Sequence, residues 1–394
     1  MPDPHLRHQR LGRAAADDDL QPLSQGGGIG LRHPQRPQPA ARVAVGIALP
    51  AAEGRRSVRG RVSRRAGARR GIRVVRFVIY GAGGIGGTIG ARLHLAGFDV
   101  VLIARGKHFE AIRRHGLRFV SPTRDVFLDV PCVAHPRDAA IRPDDAVILC
   151  MKGQHTEAAL RDLYAAVGDQ ARVVCCQNGV ENERLALRRF PHTYGMVVML
   201  PAEHLEPGVV VNFAEGTAGG LDTGCYPTGV DAFVEELTTA LVDAGFSSAP
   251  DPAIMGQKYA KLLANLNNAV QAATGTGSRA VAAKLREEAL ACYRAAGIDC
   301  ANAEDTRARR ADIRGGDVPG HRRHGGSSLQ SMLRGTGDIE TDFMNGEIVL
   351  LGRLHGVPVP ANTVVQEIGN RLVREDLSPG DITIDELEAR VLKP

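Results

Sequence analysis

The sequence predicts a doubly wound α/β domain followed by a helical domain, with a disordered arm ahead of both. Three observations carry that expectation. A short apolar run, Val74–Tyr80, leads straight into Gly81-Ala82-Gly83-Gly84-Ile85-Gly86. Further short apolar runs alternate with helical stretches up to about residue 250, the pattern of a parallel sheet covered on both faces. From Asp251 onward the apolar spacing becomes helical. The expected divisions are therefore 1–73, 74–250 and 251–394, and 394 residues suffice for two or three domains.

The arm, 1–73, carries 15 Arg, no Lys and 5 acids, a net of +10, whereas 74–394 carries a net of −5. The overall charge of +5, which alone would suggest a polyanionic partner, thus belongs to one segment. It is rich in Arg, Pro, Gly and Gln, with doublets Arg55-Arg56, Arg64-Arg65 and Arg69-Arg70 and no amphipathic period. Such a segment reads as a disordered extension on which no catalysis depends. The alternative is a basic arm for nucleic acid or membrane, or a targeting peptide. The two readings differ in whether deleting the arm abolishes function.

Composition excludes other classes. Aromatics are 4% and Trp is absent, which argues against a base-stacking platform. Seven cysteines, an odd number without CxxC spacing, argue against a disulfide framework or structural zinc and fit a reducing cytoplasm. No run of 18 apolar residues exists to span a membrane.

The first strand, glycine turn, helix and second strand (Val100–Ala104) form GxGxxG in the setting it requires. Gly81 permits the tight turn, Gly83 lets a pyrophosphate approach the backbone, and Gly86 lets helix and strand pack closely. The helix N-terminus then offers unpaired N–H groups to the phosphates. An NAD site would place a carboxylate about 20 residues beyond the motif. Here the second strand ends Leu102-Ile103-Ala104-Arg105-Gly106-Lys107, two cations and no acid. A guanidinium and an ammonium suit a 2′-phosphate, so the expected cofactor is NADP(H); the alternative is a solvated basic loop.

Two further strands, Asp145–Met151 and Arg172–Cys176, end in Lys152 and in Gln177-Asn178-Gly179. Ligands collect at the carboxyl ends of such strands, where Arg105, Lys152 and Asn178 fall. In the second half, Ile254–Ala273 reads as one long helix. Lys261, Asn265 and Asn268 are spaced i, i+4, i+7 and share a face. Polar groups on an otherwise apolar helix are costly to bury without purpose, and the alternative is an ordinary solvated face. Ser328 and Glu340 follow a highly charged loop, Glu304–Gly326. The HxxH at His321–His324 reads as a solvated basic loop rather than a zinc site.

Taken together, GAGGIGG after a strand, QNG at Gln177–Gly179, KLLAN at Lys261–Asn265, Ser327-Ser328, and ETDFMNG followed by HGVPVPAN resemble the ketopantoate reductase (2-dehydropantoate 2-reductase) family. The resemblance spans Val74 to about Asn370. It implies a Rossmann domain followed by an all-α domain with the active site between them, and NADPH-dependent reduction of ketopantoate in pantothenate and coenzyme A biosynthesis. By motif it implies Lys261 as general acid and Glu340 as its catalytic-site carboxylate. It implies Asn178, Asn265, Asn268 and Ser328 on the substrate. It implies Gly81, Gly83, Gly84, Ile85, Gly86, Arg105, Lys152, Asn178 and Glu340 around the cofactor, and no metal. Hydride addition to a ketone builds charge on oxygen that a nearby ammonium can stabilise and protonate. Burial beside a cofactor would lower the lysine's proton affinity. The expected partners are a small 2-oxo acid and a second copy of the chain in a homodimer, with no nucleic acid and no membrane. The alternatives are a reductase of another 2-oxo acid and a non-catalytic NADP(H)-binding sensor.

Overall fold

The computed structural model describes residues 75–335 and 338–392. The arm and Val74 lie outside the described residues. The chain opens with β1 (Phe77–Tyr80), α1 (Gly84–Leu95), β2 (Val100–Ile103) and α2 (Gly106–His115). Then come β3 (Leu117–Ser121), β4 (Arg124–Leu128), β5 (Cys132–Val133), β6 (Ala146–Leu149) and α3 (Thr156–Val167). These lead to β7 (Arg172–Cys175), α4 (Asn182–Leu187), β8 (Thr193–Met199), β9 (Ala202–Glu203) and β10 (Val209–Asn212). The α/β half closes with β11 (Ala214–Gly216), β12 (Gly220–Cys225) and α5 (Ala232–Asp243). The second half holds α6 (Ile254–Asn265), α7 (Asn268–Thr274), α8 (Arg279–Ala296) and α9 (Ala303–Ala308). After a short strand, β13 (Ile313–Gly315), it ends with α10 (Ser327–Leu333), α11 (Asn345–His355), α12 (Pro360–Arg374) and α13 (Ile384–Leu392).

The main sheet has the order β12-β8-β7-β6-β1-β2-β5, parallel throughout except for β12, which runs antiparallel to β8. Its central strands are short and β-branched because both faces are covered, so no position need be polar. The alternation of side chains sorts them into two cores. Phe77, Ile79, Leu102 and Ile148 pack with Ile89 and Leu93 of α1 and Leu237 and Leu241 of α5. Val78, Tyr80, Val101 and Val147 pack with Leu160 and Leu163 of α3 on the other face. The helical half has its own core, built on Leu262, Val270, Leu285, Ile348, Val365 and Leu372.

Three features go beyond the sequence reading. A second sheet, β4-β3-β10-β9, flanks the first. The helical half is not purely helical, because β13 pairs antiparallel with β11. The helix expected over Ile254–Ala273 breaks at Leu266-Asn267 into α6 and α7. Asn345 Nδ2 donates to the Leu266 carbonyl at 3.1 Å, so a side chain from a distant helix substitutes for the local ladder there. Among the described residues no helix is long and apolar enough to cross a membrane.

Candidate functional site

A cavity of about 950 Å³ lies where the carboxyl ends of the main sheet meet the helical half. Gly81, Gly83, Gly84, Ile85, Lys152, Asn178, Lys261, Asn265, Asn268 and Glu340 all line it. The break between α6 and α7 therefore does not disperse the polar face expected from the spacing. Three expected residues stand elsewhere. Gly86 lies beneath the turn, Arg105 is exposed beyond the end of β2, and Ser328 is buried in the first turn of α10 while its neighbour Ser327 lines the cavity.

The glycine turn fits a dinucleotide. Gly81 has φ +102°, a region that only glycine enters freely, and a Cβ there would stand 2.9 Å from the Met151 nitrogen. A Cβ on Gly86 would stand 2.1 Å from the Gly81 carbonyl oxygen, so the turn closes only with glycine. Gly83, by contrast, faces open space. It N-caps α1 without a side-chain cap, and the first turn of α1 carries no acid. Exposed N–H groups at the positive end of a helix dipole, with room above them, suit a pyrophosphate. Arg105 N-caps α2 with its Nη2 3.4 Å from the Tyr80 hydroxyl, and the first turn of α2 holds no acid either.

On the opposite wall, Lys261 Nζ donates to the Val198 carbonyl. Burial lowers its pKa to about 7; the Cys176 thiol and Glu340 oppose the shift, and Lys258 and Arg310 add to it. Glu340 is buried, and Oε1 accepts from the Gly153 N–H at 3.0 Å. Burial raises its pKa, against the pull of that N–H and of Lys152 and Lys261. Lys152 Nζ donates to both the side-chain Oδ1 and the carbonyl of Asp338, each at 2.8 Å. The hydrogen bond from His155, joined by Lys152, holds the Asp338 carboxyl well below the usual range. Asn178 Oδ1 and Asn265 Nδ2 are buried without a partner. Buried polar atoms are nearly always satisfied, so orphans in a cavity wall mark where a ligand supplies the other half.

The sequence model of ketopantoate reductase PanE/ApbA matches residues 77–225, and that of the same family's C-terminal region matches 253–372. The chain belongs to the ketopantoate reductase family. It is 29% identical over 334 residues to the 2-dehydropantoate 2-reductase of Mesorhizobium japonicum, a match covering 76% of this chain and 98% of that protein. It is similar to the solved PanE/ApbA family ketopantoate reductase from Ralstonia eutropha JMP134, with TM-score 0.63, 28% identity, and coverage of 77% and 99%. A D-mandelate dehydrogenase with NADH and anilino(oxo)acetate shares the fold at TM-score 0.65 and 23% identity, covering 76% of this chain and 99% of that one.

This ketopantoate reductase family member also holds its site with residues to which the sequence reading gave no role there. Lys258, one turn before Lys261, is buried and donates to the Glu183 carboxylate and to the carbonyls of Cys175 (3.2 Å) and Gln177 (3.1 Å). It thereby ties α6 to the end of β7 and fixes the loop that carries Asn178. His324, expected in a solvated loop, is held by the buried Glu203: its N–H at 2.6 Å from Oε1 and its Nδ1 at 2.9 Å from Oε2. Arg310 enters the cavity wall from the charged loop. No local pattern announces these contacts; the partners of Lys152, Lys258 and His324 lie 75 to 186 residues away in sequence.

Proposed function

We propose that this chain is an NADPH-dependent 2-dehydropantoate 2-reductase, converting ketopantoate to pantoate for pantothenate and coenzyme A biosynthesis. One observation carries the reading: Lys261, with its proton affinity lowered to about neutrality, shares a cavity with the glycine turn and with Glu340. The reduced nicotinamide, when bound, supplies the hydride. Gly81, Gly83, Gly84, Ile85 and Gly86 form the turn that receives the diphosphate, and Arg105 stands at the strand end where a 2′-phosphate would be read. Lys152, Asn178 and Glu340 complete the cofactor's surroundings.

The chain's own chemistry is proton transfer and orientation. Lys261 holds an ammonium proton for the ketone oxygen, stabilises the charge that develops there, and donates as the alcohol forms. Its neutral amine then regains a proton from water. Glu340, held by the Gly153 N–H, faces the same cavity and is assigned to orienting the substrate. Asn178, Asn265 and Asn268 are assigned to the substrate, together with Ser327, which lines the cavity where the expected Ser328 does not. All seven cysteines are free thiols, which supports a cytoplasmic setting. A homodimer is part of the same reading.

The deciding experiment follows NADPH oxidation by absorbance with ketopantoate, using 74–394, the full chain and Lys261→Ala. Turnover that collapses in the variant, survives loss of the arm, and is much poorer with NADH supports the reading. Retained NADPH binding without turnover sinks the substrate assignment, and a panel of other branched 2-oxo acids then tests the second reading.

A further inference from the structure

We infer that Arg310, on the segment joining α9 to β13, is the anchor for the substrate's carboxylate, an assignment that rests on the 2-oxo acid reading above. The segment is fixed from several sides. Arg309 bonds Asp222 at 2.9 Å and Asp251 at 3.1 Å, β13 pairs with β11, and Glu203 holds His324. Arg310, next to that clamp, lines the cavity instead of pairing with an acid. Its Nε is buried and has no hydrogen-bond partner.

Of the other strong cations around the cavity, Arg323 is exposed to solvent and two are engaged. Lys152 is bound to Asp338, and Arg334 donates to the His204 carbonyl (3.1 Å) and the Ser331 hydroxyl (3.2 Å). Among the described residues no carboxylate lies within salt-bridge reach of Arg310, and its proton affinity is lowered by burial alone, with no acid to offset it. A half-buried guanidinium without a counter-ion is costly unless a ligand anion completes it.

Position identifies the anion. Arg310 and Lys261 line the same cavity, so the two cations share one space. A 2-oxo acid carries its carboxylate on the carbon bonded to the ketone. The ketone oxygen at Lys261 therefore brings the carboxylate within the neighbourhood of Arg310, whose planar fork matches two oxygens. Asn265 Nδ2, also buried and unpartnered in this wall, supplies a further donor. A phosphate of the dinucleotide has the same anionic chemistry, and the test separates the two.

The full chain, Arg310→Gln and Arg310→Lys are compared by KM and kcat for ketopantoate and for its methyl ester, and by NADPH affinity from fluorescence titration. Hydrogen bonds to charged groups predict a rise of about 10- to 100-fold in KM for the acid in Arg310→Gln. The ester should lose much less, and Arg310→Lys should recover part of the loss. Equal losses for acid and ester would mark a structural role, and a loss confined to NADPH affinity would assign Arg310 to the cofactor; either overturns the inference. If the wild type does not reduce ketopantoate, the parent reading fails on its own. Calorimetric titration with oxamate then decides: binding lost in Arg310→Gln supports the anchor, and equal binding or none refutes it.

Discussion

Lys258 and Lys261 stand one turn apart on α6, yet their surroundings put them to opposite uses. Lys258 is 3% exposed and meets a full shell: the wholly buried Glu183 and two carbonyls at the end of β7. Lys261 faces the cavity, bonds the Val198 carbonyl, and has no carboxylate within salt-bridge reach among the described residues. A buried ammonium with a paired carboxylate is a peg; one without it becomes a labile proton near neutrality. The same three-residue step thus supplies both a rigid tie at the site and the group proposed as its acid.

Removing the labile proton should have the largest effect. Lys261→Met is expected to lower turnover about 10²–10⁴-fold, the usual worth of a positioned general acid, while NADPH affinity persists; stopped-flow NADPH oxidation reads both. Next comes the peg. Glu183→Gln leaves the Lys258 ammonium buried without its counter-ion, and such losses run to about 3–5 kcal/mol. Urea unfolding should show that drop, and Lys258→Met with Glu183→Leu together should restore much of it. Equal stability of the single and double variants would break the comparison.

The pH response sharpens it further. If Lys261 is the general acid proposed above, reduction needs its charged form, so the rate should be level below about pH 7 and fall with a single ionisation above it. Stability should move the other way. Between about pH 7 and the ordinary lysine value near 10.4, the unfolded chain binds a proton that the folded chain does not. Stability therefore rises with pH across that window. Lys261→Met should remove this rise, and a pH series of urea midpoints checks it.

How much of this was legible in sequence follows from distance along the chain. The turn from Tyr80 to Gly86 was readable because strand, glycines and helix are contiguous, and Gly81 and Gly86 answer local steric demands. Lys261, Asn265 and Asn268 were legible as a cluster, although the helix carrying them breaks at Leu266-Asn267, where Asn345, 79 residues away, donates to the Leu266 carbonyl. The Asp338 clamp on Lys152 and the Glu203 latch on His324 were not, because each joins residues more than 120 positions apart by single side chains. Ser328 shows the limit of motif reading within one turn: the spacing locates the helix start, but packing puts Ser327 on the cavity.

The smallest effect concerns the cofactor's far end, where Arg105 contrasts with the glycine turn. The turn is sterically compelled, so Gly86→Ala should lower both stability and NADPH affinity, its new Cβ colliding with the Gly81 carbonyl. Arg105 is exposed and, among the described residues, its side chain hydrogen-bonds the Tyr80 hydroxyl at 3.4 Å, so its loss should leave the melting temperature nearly unchanged. On the proposed NADPH reading, its guanidinium acts on the 2′-phosphate that NADPH carries and NADH lacks. Arg105→Ala should therefore raise KM for NADPH by roughly tenfold, about the worth of one solvent-exposed charge-assisted contact, with a much smaller change for NADH. A parallel loss with both cofactors would place the 2′-phosphate elsewhere and leave Arg105 as a surface cation at a strand end.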